Sequence, residues 1–161
     1  MSKELVVLDQ IDRKIIKALQ DNARLSSQEL SDQVGISSSP CWRRVKALEE
    51  AGVITKYVTL VDPEALGLSI SIFTNVSLDK QIESALETFQ KAVRKRPEVM
   101  ECYLMTGDFD YLLRVVVGSL HEYERFLLDH LTKISGVASI KSSFALKQVK
   151  YTTALPVSSQ P

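Results

Sequence analysis

Cysteine, histidine and tryptophan are scarce in this 161-residue chain, with two, two and one copies respectively. Cys41 and Cys102 make neither a disulfide framework nor a zinc quartet. His121 and His130 have no cysteine or further histidine at ligand spacing. No metal and no cofactor are therefore expected. An excess of either charge is also missing, since twenty Lys/Arg cancel twenty Asp/Glu. That balance excludes a broadly basic coat for nucleic acid or a polybasic membrane binder, and leaves only local patches to consider. No apolar run approaches the roughly 18–20 residues that cross a bilayer. The start Met1-Ser2-Lys3-Glu4 leads into an acidic amphipathic stretch without a signal-peptide core. No Ser-His-Asp or Cys-His arrangement and no glycine-rich phosphate loop is present, so no enzyme chemistry is expected. Hydrophobic residues at 45% and charged residues at 25% are enough to bury a core. The expectation is a soluble, cytoplasmic, metal-free chain of one ordinary domain or two small ones.

Helical spacing fills the first sixty residues. Leu8, Ile11, Ile15, Ile16 and Leu19 mark one helix face, capped by Asp9 or Ser2 and ended at Asp21-Asn22. Ser26-Ser27-Gln28-Glu29 fits a capping box, and the short helix it opens turns Leu30 and Val34 inward before Gly35 stops it. Ser39 as N-cap and Pro40 at the first helical position open a third helix that ends at Gly52. Three short helices with a glycine turn between the last two make a helix-turn-helix. Val53–Val61 reads as a strand or extended connector, and Asp62-Pro63-Glu64 with Gly67 mark a hinge over 62–67.

Strand and helix patterns alternate beyond the hinge. Leu68, Ile70, Ile72, Thr74, Val76 and Leu78 share one face of a strand. A helix over 81–95 turns Ile82, Ala85, Leu86, Phe89 and Val93 inward. Strands over 99–106 and 111–117 flank a turn. Ser119 to Glu122 is a second capping box, opening a helix with Leu120, Tyr123, Leu127, Leu131 and Ile134 inward until Gly136. A long strand over 137–150 follows. The order βαββαβ is ferredoxin-like, an antiparallel sheet with two helices on one face. The fold class is α+β, with a helix-turn-helix, winged-helix-like domain over 1–61 and a ferredoxin-like domain over 68–156. Residues 157–161 form a frayed tail.

The third helix carries the chemistry. At about 100° per residue, Cys41, Val45 and Leu48 form its core stripe and Ser39, Arg43, Lys46 and Glu50 the opposite one. An apolar back, a small N-terminal end and a forked donor on the outer face are what the major groove of DNA admits. Arg43 is placed to grip a guanine edge or a phosphate, and Ser38, Ser39 and Arg44 to hold phosphates. Trp42 flanks the stripe, against DNA sugars or a neighbouring helix. Residues 1–60 hold nine Lys/Arg against eight Asp/Glu, a net +1, whereas residues 37–46 hold three basic residues and no acid. One such domain neutralises few phosphates, so two or more copies on one duplex are expected. The other candidate is Thr106-Gly107-Asp108-Phe109-Asp110, read either as a tight hairpin turn or as a site for an amino acid. In the second reading the carboxylates accept the α-ammonium, with Asp110 favoured because Asp108 lies at the solvated tip.

The chain resembles the Lrp/AsnC, or feast/famine, family of transcription regulators along nearly its whole length. The resemblance rests on Leu8-Asp9-x-Ile11-Asp12-Arg13-x-Ile15, Val34-Gly35-Ile36-Ser37 and Pro40-Cys41-Trp42-Arg43-Arg44-Val45. It continues through Leu48-Glu49-x-x-Gly52-Val53-Ile54 and Thr106-Gly107-Asp108-Phe109-Asp110-Tyr111-Leu112-Leu113-Arg114-Val115. It implies a regulator of transcription that binds double-stranded DNA and whose sheet domain senses an amino-acid effector. It also implies homodimers formed through that domain and commonly assembled into octamers. The effector site it implies lies between protomers at Thr106, Gly107, Asp108, Phe109 and Asp110, with Ser142 and Ser143 from a neighbour. The alternative is a DNA-wrapping architectural protein with little sequence preference; an enzyme built on the sheet domain is the third reading.

Overall fold

A computed structural model describes residues 6–80 and 82–157. The described chain divides into two compact units. One runs to Leu60 and takes the chain in again from Lys150, and the other spans Val61–Val149.

The first unit is built on three helices, α1 (Gln10–Asp21), α2 (Ser27–Val34) and α3 (Ser38–Glu50). Asp9 caps α1 in a reciprocal box with Asp12, and Ser26 caps α2 in the same way with Glu29. Ser2, the other candidate cap for α1, lies outside the described residues. Gly35 takes φ 80°, the left-handed geometry that closes α2 and starts the turn into α3. Ile15, Ala18, Leu30, Val34, Cys41 and Leu48 form the core. The start of α3 differs from the sequence reading. Ser37 is the N-cap, without a side-chain bond, so Pro40 is the third helical residue rather than the first. Proline is tolerated there because that N–H is still one of the helix's unpaired donors. Val53–Val61 is an extended connector without strand pairing.

The second unit follows the order β1 (Ile70–Leu78), α4 (Glu83–Val93), β2 (Val99–Leu104), β3 (Tyr111–Val117), α5 (Leu120–Asp129), β4 (Val137–Phe144), with a 3₁₀ turn at Leu131–Lys133. The strands make one antiparallel sheet in the order β2-β3-β1-β4. Both helices cover one face. Ile72, Val76, Leu113 and Val115 from the sheet meet Phe89, Val93, Tyr123 and Phe126 from the helices. Phe89 stacks on Tyr111 with ring centroids 4.4 Å apart. The buried Thr74 hydroxyl is satisfied by the Tyr123 hydroxyl at 2.8 Å.

Several expectations shift at element ends. Ile82 is exposed because it is the N-cap of α4 and lies outside the helix, and Leu120 is exposed as the first residue of α5, where Phe126 takes an inward place. α5 ends at Asp129, and β4 ends at Phe144 instead of continuing to 150. The chain from Lys150 joins the first unit rather than ending the sheet domain, since Leu155 exchanges two backbone bonds with the Gln20 side chain, at 2.6 and 3.1 Å. The proposed tail lies outside the described residues from 158 onward.

The sheet face away from the helices carries Phe73, Asn75, Tyr103, Glu101 and Arg114, as the strand registers require. Arg114 donates to Glu101 at 2.8 Å, and Tyr103 donates to the same carboxylate at 2.9 Å. Phe73 and Tyr103 are exposed.

Phe89→Ala removes a fully buried ring from the centre of the second unit and is expected to destabilise it by about 3–5 kcal/mol. Denaturant unfolding followed by tyrosine fluorescence checks this; a loss below about 1 kcal/mol contradicts the packing described.

Candidate DNA-binding helix and effector loop

The outer stripe of α3 is where its spacing placed it. Ser39, Arg43, Lys46 and Glu50 are exposed, opposite the buried Cys41 and Leu48. Arg43 makes no hydrogen bond or ion pair among the described residues, while Lys46 reaches Glu49 of its own helix at 3.4 Å. Trp42 is 54% exposed and lines a cavity of about 200 Å³ with Leu19, Leu25 and Tyr57. It therefore combines helix packing with an open edge beside the stripe.

Two residues expected at phosphates have other partners. The Ser38 hydroxyl donates to the Gln28 side chain at 2.8 Å and lies 3.1 Å from Ser31, fastening α3 to α2. The Arg44 guanidinium lies 2.6 Å from Asp9 and 2.7 Å from Asp12. These carboxylates are also the capping box of α1, so one cation joins the beginning of α1 to the middle of α3. The Asp12 backbone N–H, and after it Arg44, hold the Asp9 carboxyl below its ordinary value, and Asp12 and then Asp9 raise the pKa of Arg44. Sequence reading missed this clasp; the acids thirty residues upstream were visible, but not that α1 would bring them to Arg44. It also missed Tyr57, which donates to Glu49 at 3.0 Å and ties the connector back to α3. Burial, and then Glu49, push the Tyr57 phenol up to about 12.

The loop between β2 and β3 brings Thr106, Gly107 and Asp108 to the surface, with Phe109 half-buried and Gly107 at φ 121°. Asp110 does not join them. It is only 6% exposed, and its carboxylate accepts the Leu78 backbone N–H at 2.7 Å. Its own backbone donates to Val76 and accepts from Met105. Asp110 thus closes the ends of β1, β2 and β3 together, which is the turn-building alternative to the ammonium acceptor favoured from the sequence. Asp108 is the exposed carboxylate of the loop. Ser142 and Ser143 are also separated by the strand alternation. Ser142 pairs with Thr74, and its hydroxyl bonds Tyr123 on the helix side, whereas Ser143 pairs with Phe73 on the open face.

A helix-turn-helix with an uncommitted arginine on its outer stripe, joined to a ferredoxin-like unit with an exposed loop, defines a two-part DNA-binding regulator. The family models agree with both halves. "Winged helix-turn-helix DNA-binding" matches residues 8–55, and "Lrp/AsnC ligand binding domain" matches residues 71–155. The Bkd operon transcriptional regulator of Pseudomonas aeruginosa is 48% identical over 150 residues, 93% of this chain and 98% of that one. The leucine-responsive regulatory protein of Escherichia coli is 37% identical over 150 residues, covering 93% and 92%. Among solved structures, a transcriptional regulator of Neisseria meningitidis in complex with L-methionine superposes with TM-score 0.89 at 43% identity, covering 93% and 97%. The chain belongs to the Lrp/AsnC family of transcriptional regulators.

Two outcomes follow from the site geometry. Asp110→Ala leaves the buried Leu78 N–H without that acceptor and is expected to cost about 1–3 kcal/mol with no amino acid present. Thermal melts of the unliganded protein check it; an unchanged transition would return Asp110 to the ligand site. The Asp9 carboxyl is depressed in the folded state, so its contribution is present above its ordinary value of 3.8 and lost as pH falls through the lower folded value. Melts of the first unit should therefore weaken below about pH 4, and less so in Arg44→Met; equal acid sensitivity would exclude the clasp.

Proposed function

We propose that this regulator reads DNA with Ser39, Trp42, Arg43 and Lys46 and changes its assembly or DNA affinity on binding an amino acid. The observation that carries the DNA half is the outer stripe of α3, where Arg43 has no intramolecular partner among the described residues and every neighbour on the stripe is exposed. Ser38 and Arg44 act one step back, by holding α3 against α2 and α1. The effector half is supported by the exposed Thr106, Gly107 and Asp108, with the half-buried Phe109 as apolar wall and Ser143 as an outward hydroxyl. Names of the relatives point the same way, one being leucine-responsive and another holding L-methionine.

Assembly belongs to the same proposal. The open sheet face presents Phe73 and Tyr103 to solvent, and the buried Asn75 Oδ1 on that face has no hydrogen-bond partner. A second sheet laid on it covers the rings, so a homodimer is the minimum unit, and the resemblance extends it to an octamer. The protein is read as cytoplasmic and without enzymatic activity. None of its described helices is long and apolar enough to cross a membrane. The DNA-wrapping architectural alternative is not favoured, because the relatives are named for particular operons and responses.

Arg43→Ala is expected to lower affinity for the operator by about 1–3 kcal/mol and to relax preference at one base pair. Competition binding at stated salt, against bulk genomic DNA, measures both. Unchanged affinity and selectivity in the folded variant would remove this face of α3 from the interface.

A further inference from the structure

A groove at the far end of the sheet has the chemistry of a second ligand site. It lies where β2 begins and β3 ends, against α5, and encloses about 470 Å³. An adjoining cavity of about 410 Å³ shares Arg96, Phe126, Asp129 and His130 with it. Both volumes fall in the range of small-molecule sites. β2 and β3 are antiparallel, so the 106–110 loop joins their opposite ends, about 20 Å away along six residues of strand. The groove is thus separate from the loop, and all its walls come from one unit of one chain.

Its polar groups carry both signs and are incompletely used. Arg96 pairs with Glu98, yet Arg96 Nε and Glu98 Oε2 are buried without a hydrogen-bond partner among the described residues, while both side chains keep a part open to the groove. Buried polar atoms are nearly always paired, so this pair is incompletely satisfied by its own chain. Arg125, on the same groove wall, makes no ion pair or hydrogen bond among the described residues. Met100 and Leu68 are exposed apolar residues on the wall, and Phe126 closes the base.

We infer that this groove binds a small zwitterion with an apolar side chain, of the free α-amino acid class. Its carboxylate meets Arg125 and the open part of the Arg96 guanidinium, its ammonium meets the open part of the Glu98 carboxylate, and its side chain lies on Met100, Leu68 and Phe126. Glu122 and Asp129 also line the groove but are engaged by the Gly118 N–H and Lys133, and His130 lies beside them. A purely anionic ligand would meet Glu98 and these carboxylates, and a purely cationic one would meet the two arginines, so either is repelled by part of the groove.

Calorimetric titration of the full chain with L-leucine, L-methionine and L-phenylalanine tests the site. 3-Methylbutylamine and 4-methylpentanoate, which each keep one charge of leucine, are the controls. Arg125→Ala and Glu98→Gln are expected to weaken one binding event roughly tenfold or more, and Thr106→Ala to leave that event in place. Arg125 is exposed, so its variant should melt as wild type does without ligand. Loss of all binding in Thr106→Ala, with Arg125→Ala and Glu98→Gln unchanged, assigns binding to the loop and overturns the groove. Binding lost in the groove variants but kept in Thr106→Ala supports the groove even if the loop proposal fails. Equal affinity for either single-charge control, or no binding of any of the three amino acids, also overturns it.

Discussion

A four-stranded sheet with both helices on one side has a face with nothing of its own to cover it. That constraint shapes most of the second unit. The helix side is filled with aliphatic and aromatic residues in a register set by strand alternation, and the sequence there is apolar at every second position. The other side mixes Phe73 and Tyr103 with an ion pair between Glu101 and Arg114. A face meant only for water does not need the rings, and a face meant only for a core does not tolerate the ions. The mixture fits the second sheet proposed above to cover it.

The first unit solves a different problem, which is how to hold a short helix firmly while leaving one side of it bare. α3 has no side-chain cap and few buried residues. Its position comes from polar ties along its length, at Ser38 to Gln28, at Arg44 to Asp9 and Asp12, and at Glu49 to Tyr57. Exposed ion pairs contribute little to stability individually, but three ties from three directions fix an orientation. The arginine next in sequence, Arg43, is then presented on a helix that is already positioned.

Much of this was legible in the sequence. The cap at Asp9, the capping box at Ser26, the left-handed Gly35 and the core stripe of α3 follow from local rules that act within one turn of chain. So does the alternation of β1, because a strand with one buried face must repeat every second residue. The misreadings share a cause, namely that they depend on distant partners. Nothing within reach of Asp110 in sequence says that its carboxylate accepts from Leu78, thirty-two residues earlier. Likewise Arg44 reads as a surface cation until α1 is folded against it. Ser142 and Ser143 look equivalent until the strand sends one to each side. Arg96 and Glu98 sit in a connection whose surroundings are supplied by α5.

The return of the chain at Lys150 has a consequence for how the two units are joined. Here the backbone passes from one unit to the other near Leu60 and passes back near Val149, with Leu155 bonded to the Gln20 side chain. Two crossings make a closed loop of chain through the second unit. Cutting the chain once at the first crossing therefore leaves the second unit covalently attached to the segment that bonds Gln20. The first unit is assembled from segments on both sides of the second, so a fragment that stops at the first crossing lacks part of its own surface.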